Sequence, residues 1–161
     1  MLETVSQWSD FNVAMAGASA ALAGLVIVAA SVNIQKIVSA GTLTARLAAA
    51  IATLVLALVV SAVGLVPGID LLWYGLVTIV VALGAAWFQA HATRVVMRDP
   101  QQRARVAKSA LGILPIAAYL AAGSMMAQGL TGGLMLAAAG CLVAIVSAIL
   151  VSWIVLVEVL R

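Results

Sequence analysis

A chain of 161 residues that is 66% hydrophobic and only 8% charged carries more apolar surface than a water-soluble fold of this size can hide, because a short chain has a large surface for its volume. Lipid is therefore the solvent for most of it. The net charge of +3 comes without the aromatic and polar companions of a nucleic-acid patch, which excludes nucleic acid as a partner and turns attention to membrane topology.

The opening "MLETVSQWSDF" carries Glu3 and Asp10 where a signal peptide would have positive charge, so the first apolar run is expected to stay in the mature protein. Spanning the hydrocarbon takes about 20 apolar residues. Five stretches qualify: about 11–34, 47–66, 71–90, 109–128 and 134–157, the second closed by Pro67–Gly68 and the last two parted by a tight turn at Thr131–Gly133. Backbone groups in lipid must be satisfied within the segment, so the spans are helices. A β-barrel would need alternating polar residues, and there are none. The expectation is a single transmembrane domain over residues 1–161, an all-α integral membrane protein built as a five-transmembrane-helix bundle.

The first span has unusual side chains. Asn12, Ala16, Ser19, Ala23, Val26, Ala30 and Asn33 recur at alternating spacings of four and three, giving one narrow face. The adjacent stripe of Val13, Gly17, Ala20, Gly24, Ile27 and Ser31 is also mostly small. Small residues let helix backbones approach closely in lipid. Two readings follow: the span is the centre of its own bundle, or it forms a subunit interface or lines a narrow pore. After it, "IQKIVSAGTLTAR" predicts a helix continuing to Ala40, a C-cap at Gly41 and a new helix from Thr42 or Thr44.

Residues 94–108, "RVVMRDPQQRARVAK", hold five of the eight basic residues. Asp99, Pro100 and Gln102 read as N-cap, first-turn proline and capping-box partner. The third helix is therefore expected to reach about Arg98 and the fourth to start at Pro100, forming a basic cytoplasmic hairpin over about 91–108. His91, Arg94 and Arg98 share one helix face. With Arg103, Arg105 and Lys108 they are candidates to bind anionic lipid head groups or an acidic partner, or they only anchor topology by snorkelling. Further on, Pro115 should kink the fourth helix, Gly112 sharing the bend. Tyr119, Ser124 and Gln128 are placed to hydrogen-bond across to Asn12.

All Lys and Arg fall in the connections and tail of one side, while Glu3, Asp10 and Asp70 fall on the other. The positive-inside rule then sets the N-terminus outside and the C-terminus in the cytoplasm. Trp8, Trp73 and Tyr74 would mark the outer interface, and Trp87, Phe88 and Trp153 the inner one.

The catalytic inventory is nearly empty. One histidine, one cysteine (Cys141) and five acids near helix ends make no triad, no metal-ligand spacing and no haem pair. The expectation is no enzyme, no metal and no cofactor.

Residues 8–38, "WSDFNVAMAGASAALAGLVIVAASVNIQKIV", with a first helix led by Trp8 and Phe11, an Ala-Gly-rich middle at Gly24 and Asn33 near the cytoplasmic end, and the hairpin "SAVGLVPG" resemble a family of small uncharacterised polytopic inner-membrane proteins of high-GC Gram-positive bacteria. The resemblance implies a multi-pass protein of the bacterial inner (plasma) membrane and carries over no catalytic or binding residue. The function expected is non-enzymatic: an accessory, assembly or regulatory subunit, or a homo-oligomer, acting through helix packing. The alternative is a homo-oligomeric channel or permease for an anion or a small neutral solute, with a basic cytoplasmic vestibule.

Overall fold

A computed structural model of the chain describes residues 5–39, 41–98 and 105–160, with side chains described for 5–39, 41–97 and 111–157. Among the described residues the helices follow in order: α1 (Ser9–Val32), α2 (Ile34–Ser39), α3 (Gly41–Val63), α4 (Leu71–Arg98), α5 (Arg105–Ala127) and α6 (Gly132–Leu160). Among the same residues there are no strands, and four helices are long and apolar enough to cross a membrane: Ser9–Val32, Gly41–Val63, Leu71–Met97 and Gly132–Val157. The apolar part of α5, Leu111–Ala127, is shorter.

The long helices run up and down in alternation. Ala30, Ile37, Leu43, Leu47 and Val155 pack together at one end, while Val5, Val60, Leu71, Met126 and Leu134 belong to a cluster that reaches the other. Lys36, Arg46 and Arg94 consequently share the first end. α3 is the most buried of the spans and α1 the least, with α3 packed against α1, α4 and α6. The reading of the first helix as the centre of its bundle is thereby overturned. Its small face admits one neighbour closely, whereas α3 presents buried side chains around much of its circumference, from Leu43 and Leu47 to Thr53, Leu56, Ala57 and Val60.

The junctions differ from their expected chemistry. α1 does not run unbroken to Ala40: it ends at Asn33, whose N–H bonds Ala30 O at 3.1 Å, and α2 resumes at Ile34. Asn is a poor helix former because its amide competes for backbone groups. Gly41 is not a C-cap but the first residue of α3. A carbonyl at the end of α2 is satisfied by a side chain instead, Thr44 Oγ1 donating to Ile37 O at 2.7 Å. α3 stops at Val63, earlier than expected, in tighter turns (Leu65 N to Ala62 O and Val66 N to Val63 O, both 3.1 Å) that lead to Gly68 at φ +70°. The turn after α5 lies upstream of its expected place. Gly129, at φ +78°, takes the left-handed position after the helix, and Leu130 N reaches back to Met125 O at 2.9 Å, a glycine-capped helix end. Gly133 is already inside α6.

Close backbone approach holds the α4–α5–α6 side together. A Cβ on Gly75 would stand 2.6 Å from Ala127 N and 2.7 Å from Gly123 O. One on Gly133 would stand 2.7 Å from Ala122 O. Alanines 57, 82, 85, 122, 137 and 144 fill much of the rest. In lipid such packing is the main force that joins helices. α4 reaches Arg98 as expected; the capping box at Asp99, Pro100 and Gln102 lies outside the described residues. Pro115 sits buried inside α5, but Gly112 has a different part: a Cβ there would fall on the Gln89 side chain of α4.

Candidate functional site

The two stripes of α1 separate cleanly. Asn12, Ser19 and Ala30 are buried, and Ala16, Ala23, Val26 and Asn33 half-buried, so this face packs within the chain. Gly17, Ala20 and Gly24 are exposed, and nothing lies within 4 Å of where a Cβ would stand on either glycine. Sequence spacing placed both stripes on the helix; the fold alone distinguishes the one that is already used from the one that is not.

Buried polar groups form two clusters. In the half of the bundle near Asp70, the Asn12 amide of α1 pairs with the Tyr74 hydroxyl of α4. Gly64 makes room for the pair, since its Cβ would fall on Asn12 Nδ2 and 2.7 Å from the Tyr74 hydroxyl. Beside them the Cys141 thiol sits among the hydroxyls of Tyr119, Ser61 and Ser19, at separations that leave the Ser19 and Tyr119 oxygens unsatisfied among the described residues. The space they border is about 10 Å³, room for a single water. The expected partners of Asn12 are therefore corrected. Ser124 bonds Ala121 O at 2.8 Å and Gln128 bonds Ser124 O at 2.9 Å, both within their own stretch of chain. Tyr119 faces Cys141 rather than Asn12. Tyr74 is also not an interfacial aromatic: it is 3% exposed, whereas Trp73, Trp87, Phe88 and Trp153 are exposed.

The second cluster lies toward the basic end. Arg46 is 6% exposed, directed into the bundle rather than to the head groups. Around it are Thr53, Gln89, Thr93 and Ser147, bordering a cavity of about 30 Å³ that has room for about two waters. Thr53 donates to Ala49 O at 2.9 Å, so its hydroxyl hydrogen is spent on its own helix. Gln89, also buried, has its Nε2 3.5 Å from Thr93 Oγ1 and rests over Gly112. Between the two clusters stand Leu54, Ala57, Ala82 and Ala144, all fully buried.

Arg46 is the residue the sequence reading missed. It stands immediately before the expected start of the second span and was assigned to a connection. Yet Arg46, Thr53 and Ser61 are spaced by seven and eight residues, which puts them on one helix face. That stripe was the available signal. A buried arginine inside a membrane bundle is costly and usually functional.

Of the expected basic cluster, His91 and Arg94 are exposed on α4. The side chains of Arg98, Arg105 and Lys108, and Arg103 as a whole, lie outside the described residues. Among the described residues no three of His, Cys, Asp and Glu gather as metal ligands. What the arrangement provides is packing surface, two small cavities bordered by polar side chains and cationic groups at one end. No protein-family model, curated protein or solved structure matches the chain.

Proposed function

We propose that the chain is a multi-pass protein of a bacterial inner membrane that acts without catalysis. It would be an assembly, accessory or regulatory subunit, or a homo-oligomer, joined to its partner through the uncovered small-residue face of α1. In this reading α5 completes a five-helix bundle, the N-terminus is outside, and the basic end, with Lys36 and Arg94 exposed on it, faces the cytoplasm and anionic lipid.

The observation that carries it is the division of α1. One face packs on α3, and the exposed stripe through Gly17, Ala20 and Gly24 has nothing near it. A glycine facing lipid gains nothing there and weakens the helix by about 1 kcal/mol relative to alanine; against another backbone it permits close packing. With Cys141 replaced by serine, Gly24→Cys should form a disulfide-linked dimer in native membranes under mild oxidant, and Leu25→Cys, one position around the helix, much less. In mild detergent, Gly24→Leu should release the wild-type particle to the mass of one chain. Equal cross-linking at both positions, or an unchanged particle mass, would remove the reading.

The alternative is a pore between copies for an anion or a small solute, and the exposure of His91 and Arg94 on α4 supports it. It requires a closed ring of this chain and permeation in liposomes that Arg94→Gln alters. Absence of flux in every oligomeric form would exclude it.

A further inference from the structure

Between α4 and α5 the outer surface is hollowed into a groove of about 470 Å³. Ala86 and Ala90, four residues apart on α4, form its wall. α5 closes the other side with Ile113, Ala117 and Leu120. Gln89 lies between the two alanines, and Thr93 and Arg94 follow at the basic end. This groove is separate from the α1 face and from the Asn12 cluster, and it adjoins the Arg46 cavity at Gln89 and Thr93, which border both.

We propose that the groove binds one anionic phospholipid, with an acyl chain along the alanine wall and the headgroup phosphate on Arg94. Depth supports this occupant. Arg94 lies 24 residues beyond Asp70 in a helix that starts at Leu71, or about 36 Å at the helical rise, which clears a hydrocarbon core of about 30 Å. Arg94 therefore stands at the headgroup level. From Arg94 back to Ala86 is eight residues, or about 12 Å, of which about 6 Å lies inside a hydrocarbon leaflet about 15 Å deep. The groove thus follows one lipid from its headgroup into the upper part of its acyl region. Charge complementarity sets the lipid class: Arg94 is exposed and a guanidinium is a bidentate donor matched to phosphate oxygens, His91 is exposed one turn earlier, and among the described residues no acidic side chain lines the groove.

The test titrates purified full-length protein in mild detergent with phosphatidylglycerol or phosphatidylcholine of identical chains and counts retained lipids by native mass spectrometry. A first bound lipid favouring phosphatidylglycerol by about fivefold is expected, the increment of one basic residue near a membrane surface. Arg94→Gln should abolish that preference, and Ala117→Trp, at an exposed position, should reduce retention of both lipids. Lys36→Gln, at the same end but outside the groove, should change neither. The proposal is overturned if Arg94→Gln keeps the preference, if Lys36→Gln removes it equally, if Ala117→Trp retains lipid as wild type does, or if millimolar inorganic phosphate displaces the lipid. The inference rests on the chain spanning a membrane and not on α1 assembly. Loss of lipid selectivity with intact α1 cross-linking, or the reverse, separates the two.

Discussion

Substituting Gly75 or Gly123, both buried where α4 meets α5, should damage this fold strongly. Gly75→Ala is expected to cost about 1–3 kcal/mol and Gly75→Leu more, because the added Cβ meets backbone rather than a flexible side chain. At Gly75 it meets Ala127 N at 2.6 Å and Gly123 O at 2.7 Å; at Gly123 it meets Ile79 Cγ1 at 2.8 Å and Gly75 O at 2.9 Å. The two glycines face each other, so α4 and α5 would have to separate to admit either side chain. Gly17→Leu and Gly24→Leu are the controls: with open space around both positions, the monomer's stability should stay within about 0.5 kcal/mol. Cys141 provides the readout, as the chain's one cysteine, 2% exposed and in the core cluster. Its labelling by a thiol-reactive dye during heating should begin at lower temperature in Gly75→Leu and Gly123→Leu and be unshifted in the α1 variants. Wild-type onset in Gly123→Leu would refute the close α4–α5 contact.

Tyr119→Ala is the second large effect. The ring is fully buried among α3, α5 and α6 residues, and removing a buried aromatic leaves a cavity that costs about 3–5 kcal/mol. Tyr119→Phe keeps the ring and removes a hydroxyl that is unsatisfied among the described residues. Its stability should therefore stay within about 1 kcal/mol of wild type. A phenylalanine variant as damaged as the alanine variant would mean that the hydroxyl holds the Cys141 cluster together, through a water or a shifted side chain. The same dye labelling reports both variants, since Cys141 adjoins the ring.

The parts of the fold legible in the sequence are those dictated by solvent and by local backbone chemistry. Apolar runs of spanning length specify helices because lipid offers backbone groups no other partner, and α1, α3, α4 and α6 lie where those runs lie. Junctions were less legible. Gly41 and Asn33 exchanged their expected parts because either residue can end a helix, and only the packing of α2 under Thr44 selects which one does.

The candidate sites divide along the same line. That α1 carries two small stripes is a matter of spacing, and it was readable at once. Which stripe is spent on α3 and which stays free depends on the neighbour, and no periodicity in α1 encodes the neighbour. Arg46 shows the limit most clearly: beside a predicted span boundary, an arginine reads as a headgroup anchor. Whether it snorkels or turns inward depends on the direction its helix face takes in the bundle, and on Gln89 and Ser147 arriving from α4 and α6. The groove above Arg94 is likewise invisible in sequence, because Ala86 and Ala90 on one helix become a cavity only when Ile113 and Leu120 of another stand beside them. By itself, then, the sequence determined the solvent, the helical class and the end of the bundle that is basic, since each follows from summed local composition. Tertiary structure decided the central helix, the buried arginine, the free face and the groove, because each depends on contacts between residues far apart in the chain.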